Sequence, residues 1–305
     1  MGDVKQLACW LSLFALAPIP WTLAEPVMPE ADENAWKETW EDRRDRLVQL
    51  SLLQRVDTGV YQLHQLVREY LLAKLAQRED AEALKQAYCR VMVLQGQQIP
   101  QGSTRELWTA LTPVMSHIAE AADSWQAQLS DEDLLWPFLA MARFYNGQGA
   151  YAQAEPWYAA CLQTTKQRLG NDHPAVATSL NNLAGLYESQ GRYGEAEPLY
   201  EEALALRRKL LGDDHPDVAS SLNNLALLYN SQGRYGEAEP LYLQAIDILH
   251  DRLGDNHPTT NTVISNFYYF IEDVLAAGGQ SELSDHPSTQ KMVEIAQSES
   301  EESEP

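Results

Sequence analysis

Residues 179 to 220 and 221 to 262 are one 42-residue unit written twice, with 26 of 42 positions identical. SLNNLAGLYESQGRYGEAEPLYEEA in the first copy returns as SLNNLALLYNSQGRYGEAEPLYLQA in the second. A repeat of this length is one supersecondary unit that cannot bury its apolar face alone, so copies must stack and share a core. Leu180, Leu183, Ala184 and Tyr187 follow the i, i+3, i+4, i+7 spacing of a helix face, and Gly191 closes that helix. Tyr193, Ala196, Tyr200 and Ala203 open a second apolar stripe. Small alanines beside bulky tyrosines are what two closely approaching helices need. The unit contains no alternating pattern of a strand, so the repeats are expected to be all-helical hairpins.

An earlier, worn copy is legible in Met141, Tyr145, Gly149, Tyr151, Ala154, Tyr158 and His173, each 42 residues before its counterpart. A fourth copy starts at Val263 and fails: Phe267 and Ile271 keep the spacing, but Tyr268 stands where alanine belongs. The expected parse is a repeat region over 138–277 (units 138–179, 180–221 and 222–262, and a capping helix 263–277), followed by an acidic, disordered tail over 278–305. Terminal repeats are atypical because they cover an open hydrophobic end.

These residues resemble the tetratricopeptide repeat family, whose unit of about 34 residues places a glycine, an aromatic, an alanine three on and an aromatic four further. Here those are Gly191, Tyr193, Ala196 and Tyr200, then Gly233, Tyr235, Ala238 and Tyr242. The 42-residue form, with Leu-Asn-Asn-Leu-Ala, Gly-Arg-Tyr and Asp-His-Pro, is similar to the repeats of kinesin light chains. The resemblance implies protein or peptide recognition on the first helices of the hairpins, without turnover.

Composition narrows the partners. The net charge of −22 opposes binding to nucleic-acid backbones and anionic membranes. Three cysteines, Cys9, Cys89 and Cys161, lie scattered without metal-type spacing, which fits a reducing cytoplasm rather than a disulfide framework. The segment SESEESEP at 298–305 reads as disordered. The first two dozen residues, MGDVKQLACWLSLFALAPIPWTLAEP, have two readings. One is a secretory leader over 1–24, disfavoured by Asp3, Pro18, Pro20 and the lack of a small-x-small cleavage site. The other is the buried first helix of a small domain.

The second reading draws on residues 41–75. A helix over 41–53, two short strands around the glycine turn in 54–63, and a helix from His64 to Leu75 give the shape of a winged helix over 1–76. LSLFALAPIPW and LVQLSLLQRVDTGVYQLHQLVREYLLAKL resemble the winged-helix segment of NB-ARC signalling ATPases of the STAND class. In that resemblance Leu63-His64-Gln65 takes the place of the Met-His-Asp motif, which makes His64 a remnant of a nucleotide-sensing residue. Gln65 departs from the motif. The chain also contains no Gly-x-x-x-x-Gly-Lys-Ser/Thr loop to cradle phosphates, so no nucleotide cofactor is expected, and an NTPase would be a separate subunit. A partly exposed histidine between strand and helix is the plain alternative for His64. Residues 77–137 read as a helical linker, with a loop over Gln95 to Ser103 and Trp108, Trp125 and Trp136 in the core.

Other chemistries fit poorly. Arg43, Arg44 and Arg46 interleave with Glu41, Asp42 and Asp45, whereas a DNA-reading helix concentrates positive charge on one face. His173, His215 and His257 recur beside Asp172, Asp214 and Asn256. Successive repeats sit about 10 Å apart, however, and zinc ligands about 2 Å from one ion, so a metal site is not expected. The prolines after these histidines suit a helix's first turn. No catalytic constellation stands out.

Once packing residues are assigned, Asn181, Gly185 and Glu188 remain on the free face of one first helix, Asn223, Leu227 and Asn230 on the next, and Leu139, Arg143 and Asn146 on the worn copy. This stripe is the expected peptide groove, because an asparagine amide donates to and accepts from a peptide backbone at once. The competing role for Asn181 or Asn182 with Asn223 or Asn224 is a polar ladder tying helices together. The functional expectation is a cytoplasmic, non-catalytic binding module, the sensor part of a STAND-type switch without its NTPase. The alternatives are a free-standing adaptor similar to a kinesin light chain and, behind it, a secreted repeat protein.

Overall fold

The computed structural model describes residues 2–25, 33–100 and 105–303. Their contacts gather into two compact units, 1–161 and 162–305.

The first unit begins with α1 (Gly2–Leu11), β1 (Ile19–Pro20), α2 (Trp21–Ala24), α3 (Glu33–Gln49), β2 (Leu53–Asp57), β3 (Val60–Leu63) and α4 (Gln65–Leu75). The strands form an antiparallel sheet in the order β1-β3-β2, with Ile19 opposite Tyr61 and Leu53 opposite Leu63. The expected hairpin thus gains a third strand. That strand hides in the sequence because Pro20 has no amide to donate, and such a residue is tolerated only at an edge. The expected helix over 41–53 also needs correcting: α3 starts earlier and stops at Gln49, Ser51 turns left-handed at φ 58°, and Leu53 begins β2.

The apolar run of the first residues fills this unit's centre. Leu7, Leu13 and Phe14 are fully buried, as are Trp10 and Leu11, and the Trp10 indole donates to the Ala24 carbonyl at 3.0 Å. Phe14 packs edge-on against Tyr88 and His117. Arg44, on α3, lies over the rings of Trp21 and Tyr61 at 5.1 and 5.3 Å, where its stem adds to the core.

Three further helices complete the first unit, α5 (Ala81–Gln97), α6 (Arg105–Asp123) and α7 (Trp136–Asn146), while α8 (Tyr151–Leu169) carries the boundary between the two units. The expected loop over 95–103 starts later than sequence suggests, since α5 runs on to Gln97. Gly96 sits within it, buried where a Cβ would come within 3.1 Å of Ala140. Residues 101–103 of that loop lie outside the described residues. Of the three tryptophans expected in the core, Trp108 is buried while Trp125 and Trp136 are half-buried; among the described residues the deepest tryptophan is Trp10.

The second unit holds α9 (Pro174–Ser189), α10 (Tyr193–Leu211), α11 (Pro216–Ser231), α12 (Tyr235–Leu253), α13 (Pro258–Ala276) and α14 (Pro287–Ser303). The first helix of each hairpin starts at a His-Pro pair. Proline takes the first turn, where its missing amide costs nothing, and the histidine ring accepts the backbone N–H two residues on. His173 takes Ala175, His215 takes Asp217 and His257 takes Thr259, at 3.1 to 3.2 Å. Each second helix ends where the chain must turn left-handed, at Gly212 (φ 86°) and Gly254 (φ 81°), a conformation nearly free only to glycine. Between the helices, Ala184, Ala196, Ala226 and Ala238 are fully buried beside Tyr200 and Tyr242.

The end of the chain differs from expectation. The 263–277 cap is the C-terminal part of α13, a complete first helix that begins at Pro258. The supposed disordered tail supplies its partner: α14 packs against α13, with Val293 and Ala296 buried in the same core as Phe267 and Phe270. Strict periodicity would start this helix near residue 277, so the Gly-rich turn of Gly278 and Gly279 displaces it by about ten positions and hides it. Glu239 of α12, nearly inaccessible, accepts the Ser284 backbone N–H at 2.9 Å and the Ser284 and Thr289 hydroxyls at 2.5 and 2.6 Å. Burial of a carboxylate is tolerable only with such partners. Residues 304–305 of the acidic segment lie outside the described residues.

Candidate functional site

In the second unit the expected stripe lies on α9 and α11, and the neighbouring α13 extends it. Asn224 donates to Asn181 at 2.9 Å, Asn223 to Asn224 at 3.3 Å, and Asn266 of α13 to Asn223 at 3.0 Å. Four amides thereby form one line across three first helices. Asn181 is half-exposed, whereas Asn223 is buried. The ladder and the groove are therefore not exclusive: Asn223 ties helices together, while Asn181 ends the line and keeps its own amide hydrogens.

Two turns further along the same helices the chemistry changes. Glu188, half-buried, accepts the Tyr200 hydroxyl at 2.7 Å, and burial pushes its carboxyl above the ordinary range despite that bond. Its counterpart Asn230 donates to Asp273 of α13 at 2.8 Å, and the Asn230 Oδ1 is buried without a partner. The counterpart of Tyr200 is Tyr242, whose side chain is fully buried with an unpartnered hydroxyl. Burial raises the Tyr242 hydroxyl further from ionisation, and so do the charges of Glu188 and Asp273. Unpartnered buried polar atoms are rare in folded proteins and mark a place where a ligand or water completes the bonding.

Gly185 and Leu227 lie between the amide line and this cluster. A Cβ on Gly185 would meet the Tyr200 hydroxyl at 3.3 Å, so glycine keeps the face open there. Leu227, half-buried, packs on the core.

On α7 of the first unit the stripe is less complete. Leu139 is buried and belongs to the core, because the worn copy shifts its apolar face over that position. Arg143 rests its guanidinium 5.8 Å from the Trp136 ring centre, and burial lowers its proton affinity. Asn146, like Asn230, has a buried Oδ1 without a partner.

His64 stands exposed between β3 and α4, where its Nδ1 accepts the Leu66 N–H at 3.3 Å and caps the helix. The same arrangement explains the repeating histidines of the Asp-His-Pro motif, each of which caps a helix. Among the described residues no group of three His, Cys, Asp or Glu side chains is placed to hold a metal ion, and no helix is long and apolar enough to cross a membrane.

Sequence reasoning missed Asn224, Asn266, Asp273 and Tyr242 as parts of the site. Asn224 is visible as the alternative ladder member, and Tyr242 as a packing residue. Asn266 stands 42 residues after Asn224 and Asp273 one position past the counterpart of Asn230, both in the copy whose pattern breaks down.

A model of the tetratricopeptide repeat family matches residues 133–209 and 180–251, so the chain carries tetratricopeptide repeats. Among solved structures it is similar to a Podosopora anserina protein with nearly identical TPR-like repeats of kinesin light chain type. The identity is 21%, over 71% of this chain and 99% of that one, with a TM-score of 0.50. It is also similar to BtubC (BKLC) from P. vanneervenii at 20% identity, over 76% of this chain and 87% of that one, with a TM-score of 0.53. At such identities the likeness is one of fold. No curated protein matches the chain.

Proposed function

We propose that this chain is a non-catalytic protein- or peptide-binding module whose ligand lies along the first helices of its repeats. Repeat folds of this kind generally serve as binding scaffolds. The observation that carries the reading is the polar stripe from Asn181 to Asp273. A face that only packed would be apolar, and one that only faced solvent would not line up amides at 2.9 to 3.0 Å and leave buried acceptors open beside them. The first unit, with its helix, strand, helix, helix, strand, strand order, is read as the winged-helix-like part of a STAND-type switch whose NTPase is a separate subunit, with His64 as the remnant of its nucleotide sensor. A cytoplasmic setting fits three cysteines that are all buried and in no disulfide.

The second reading is a free-standing adaptor with two docking surfaces. Leu66 and Tyr70, one turn apart on α4, are 67% and 61% exposed, which favours a protein partner for the first unit in either reading. Affinity capture with the intact chain and with Leu66→Glu/Tyr70→Glu decides between them. A partner with a phosphate-binding loop that the variant loses supports the split switch. Retention of the same proteins by both forms overturns a role for this unit in docking. In parallel, Asn181→Ala/Asn223→Ala should lose groove ligands in the same capture, with its melting temperature recorded so that unfolding is not mistaken for lost binding.

A further inference from the structure

The reading of the repeats as a peptide groove leaves open what kind of peptide enters, and the charge on the face is one-sided. Helices α9, α11 and α13 together carry Glu188, Asp217, Glu272 and Asp273 and not one lysine or arginine. The cations on and beside the second helices already have partners. Arg207 holds the Asp217 carbonyl and Ser221, Lys209 holds Asp172, and Arg252 holds Asp214. Arg208 pairs with Asp213, while Arg192 and Arg234, just before α10 and α12, pair with Glu195 and with Glu197 and Glu237 and stack on Tyr187 of α9 and Tyr229 of α11.

Among the described residues Glu188 and Asp273 have no such partner. Glu188 is met by the Tyr200 hydroxyl and Asp273 by the Asn230 amide. Both are neutral donors, which leave each carboxylate with open lone pairs and no paired cation. The Oδ1 of Asn230, the residue bonded to Asp273, and the Tyr242 hydroxyl, on which the charges of both carboxylates act, are buried and lack hydrogen-bond partners. The site therefore offers two carboxylates and two further oxygen acceptors, with one uncommitted donor, the Tyr242 hydroxyl. Lysine presents three donors and arginine five, with no acceptor.

We propose that the face between α9 and α13 takes the lysine or arginine side chain of a basic peptide segment, with Glu188 and Asp273 as its anionic partners and Asn230 and Tyr242 as further acceptors. The amide line from Asn181 to Asn266, nearer the start of the same helices, then meets the peptide backbone. Its bonds are indifferent to sequence, so the carboxylates set the preference. This proposal rests on the groove reading and adds a charge to it.

The test uses the full chain and three fluorescein-labelled pools of random twelve-residue peptides, one enriched in lysine and arginine, one neutral and one rich in aspartate and glutamate, read by fluorescence anisotropy at 50 and 300 mM salt. The expected result is binding of the basic pool, weakened with salt. Glu188→Gln/Asp273→Asn, which keeps shape and hydrogen bonds, should weaken it about tenfold or more, the scale of a lost charge-assisted bond. Glu201→Gln/Asp251→Asn removes the same charge from exposed positions on the second helices and should leave binding within about twofold, since exposed charges count for little. Equal effects of the two variants would overturn the proposal, because attraction to a chain of −22 charge would then explain the binding. Preference for the neutral or acidic pool, lost in Asn181→Ala/Asn223→Ala, would also overturn it while leaving the groove reading standing. If no pool binds, both fall together.

Discussion

The side-chain amide of Asn224 donates to the side-chain oxygen of Asn181, 43 residues earlier, at 2.9 Å, and Asn266 repeats the bond to Asn223 with the same offset at 3.0 Å. The sequence repeats every 42 residues, yet the contact repeats every 43. Adjacent first helices are therefore turned so that a residue meets the neighbour one position past its own equivalent. Asn230 and Asp273 keep that offset.

Asn223 is the buried member of this line and takes part in two of its bonds, so Asn223→Ala should cost about 1–2 kcal/mol, at roughly 1 kcal/mol per net hydrogen bond. Asn181→Ala, at the half-exposed end with one bond, should cost about half as much. Urea unfolding followed by far-ultraviolet circular dichroism gives both numbers. Equal, negligible costs would mean that the ladder contributes nothing to stability.

His117 is fully buried, its Nδ1 accepting the Ala15 N–H at 3.2 Å and its Nε2 within 3.0 Å of the Pro18 carbonyl. Donation to that carbonyl fixes the neutral tautomer, and burial lowers the ring's pKa to about 4. The unfolded chain, with a histidine near 6.5, binds the proton first as pH falls. Stability is then complete above pH 6.5 and declines towards pH 4, by at most about 3 kcal/mol. Every tryptophan lies at or before Trp157, so indole emission during denaturation reports the first unit. His117→Gln should flatten the difference between pH 7 and pH 4.5, and an unchanged pH profile would refute the assignment.

Glu239 accepts three hydrogen bonds from Ser284 and Thr289, and Thr289 is itself fully buried. Glu239→Ala strands those donors, a loss of about 2–3 kcal/mol, concentrated at the docking of α14. Hydrogen exchange should accelerate across residues 280–298 while α9 to α11 keep their protection. Uniform protection in the variant would show that Val293 and Ala296 hold the helix unaided.

Cys9, Cys89 and Cys161 are buried and in no disulfide, and burial pushes the Cys89 thiol up to about 12. Since only thiolate reacts, the native chain at pH 8 should resist a thiol reagent such as DTNB for an hour or more, and three thiols should appear in denaturant. Rapid labelling of the native chain would show that one of the buried thiols becomes exposed.

Much of this molecule is legible in its residues. Helix starts follow from His-Pro pairs and helix ends from glycine, because capping and left-handed turns are local demands that few residue types meet. The groove stripe is legible only as a set of positions left over after packing. Leu139 enters that set by counting from the repeat and leaves it in the fold, because the worn copy shifts its apolar face. Strand β1 stays hidden because two residues ending in proline carry no periodic signal, and α14 because its offset breaks the period and acidic residues dominate its end.

The sequence by itself determined that the chain builds helical hairpins, where the two regular ones begin and end, and which small and large residues interlock, since these depend on neighbours within one or two turns. The tertiary structure decided the rest: the 43-residue offset of the asparagine line, the docking of α14 on Glu239, and the meeting of Glu188 and Asp273 about Tyr242. These interactions join residues 31 to 54 positions apart, and they depend on how far one packed helix is turned against the next. That angle is set by the summed fit of side chains across the interface, which no periodic pattern along the chain encodes.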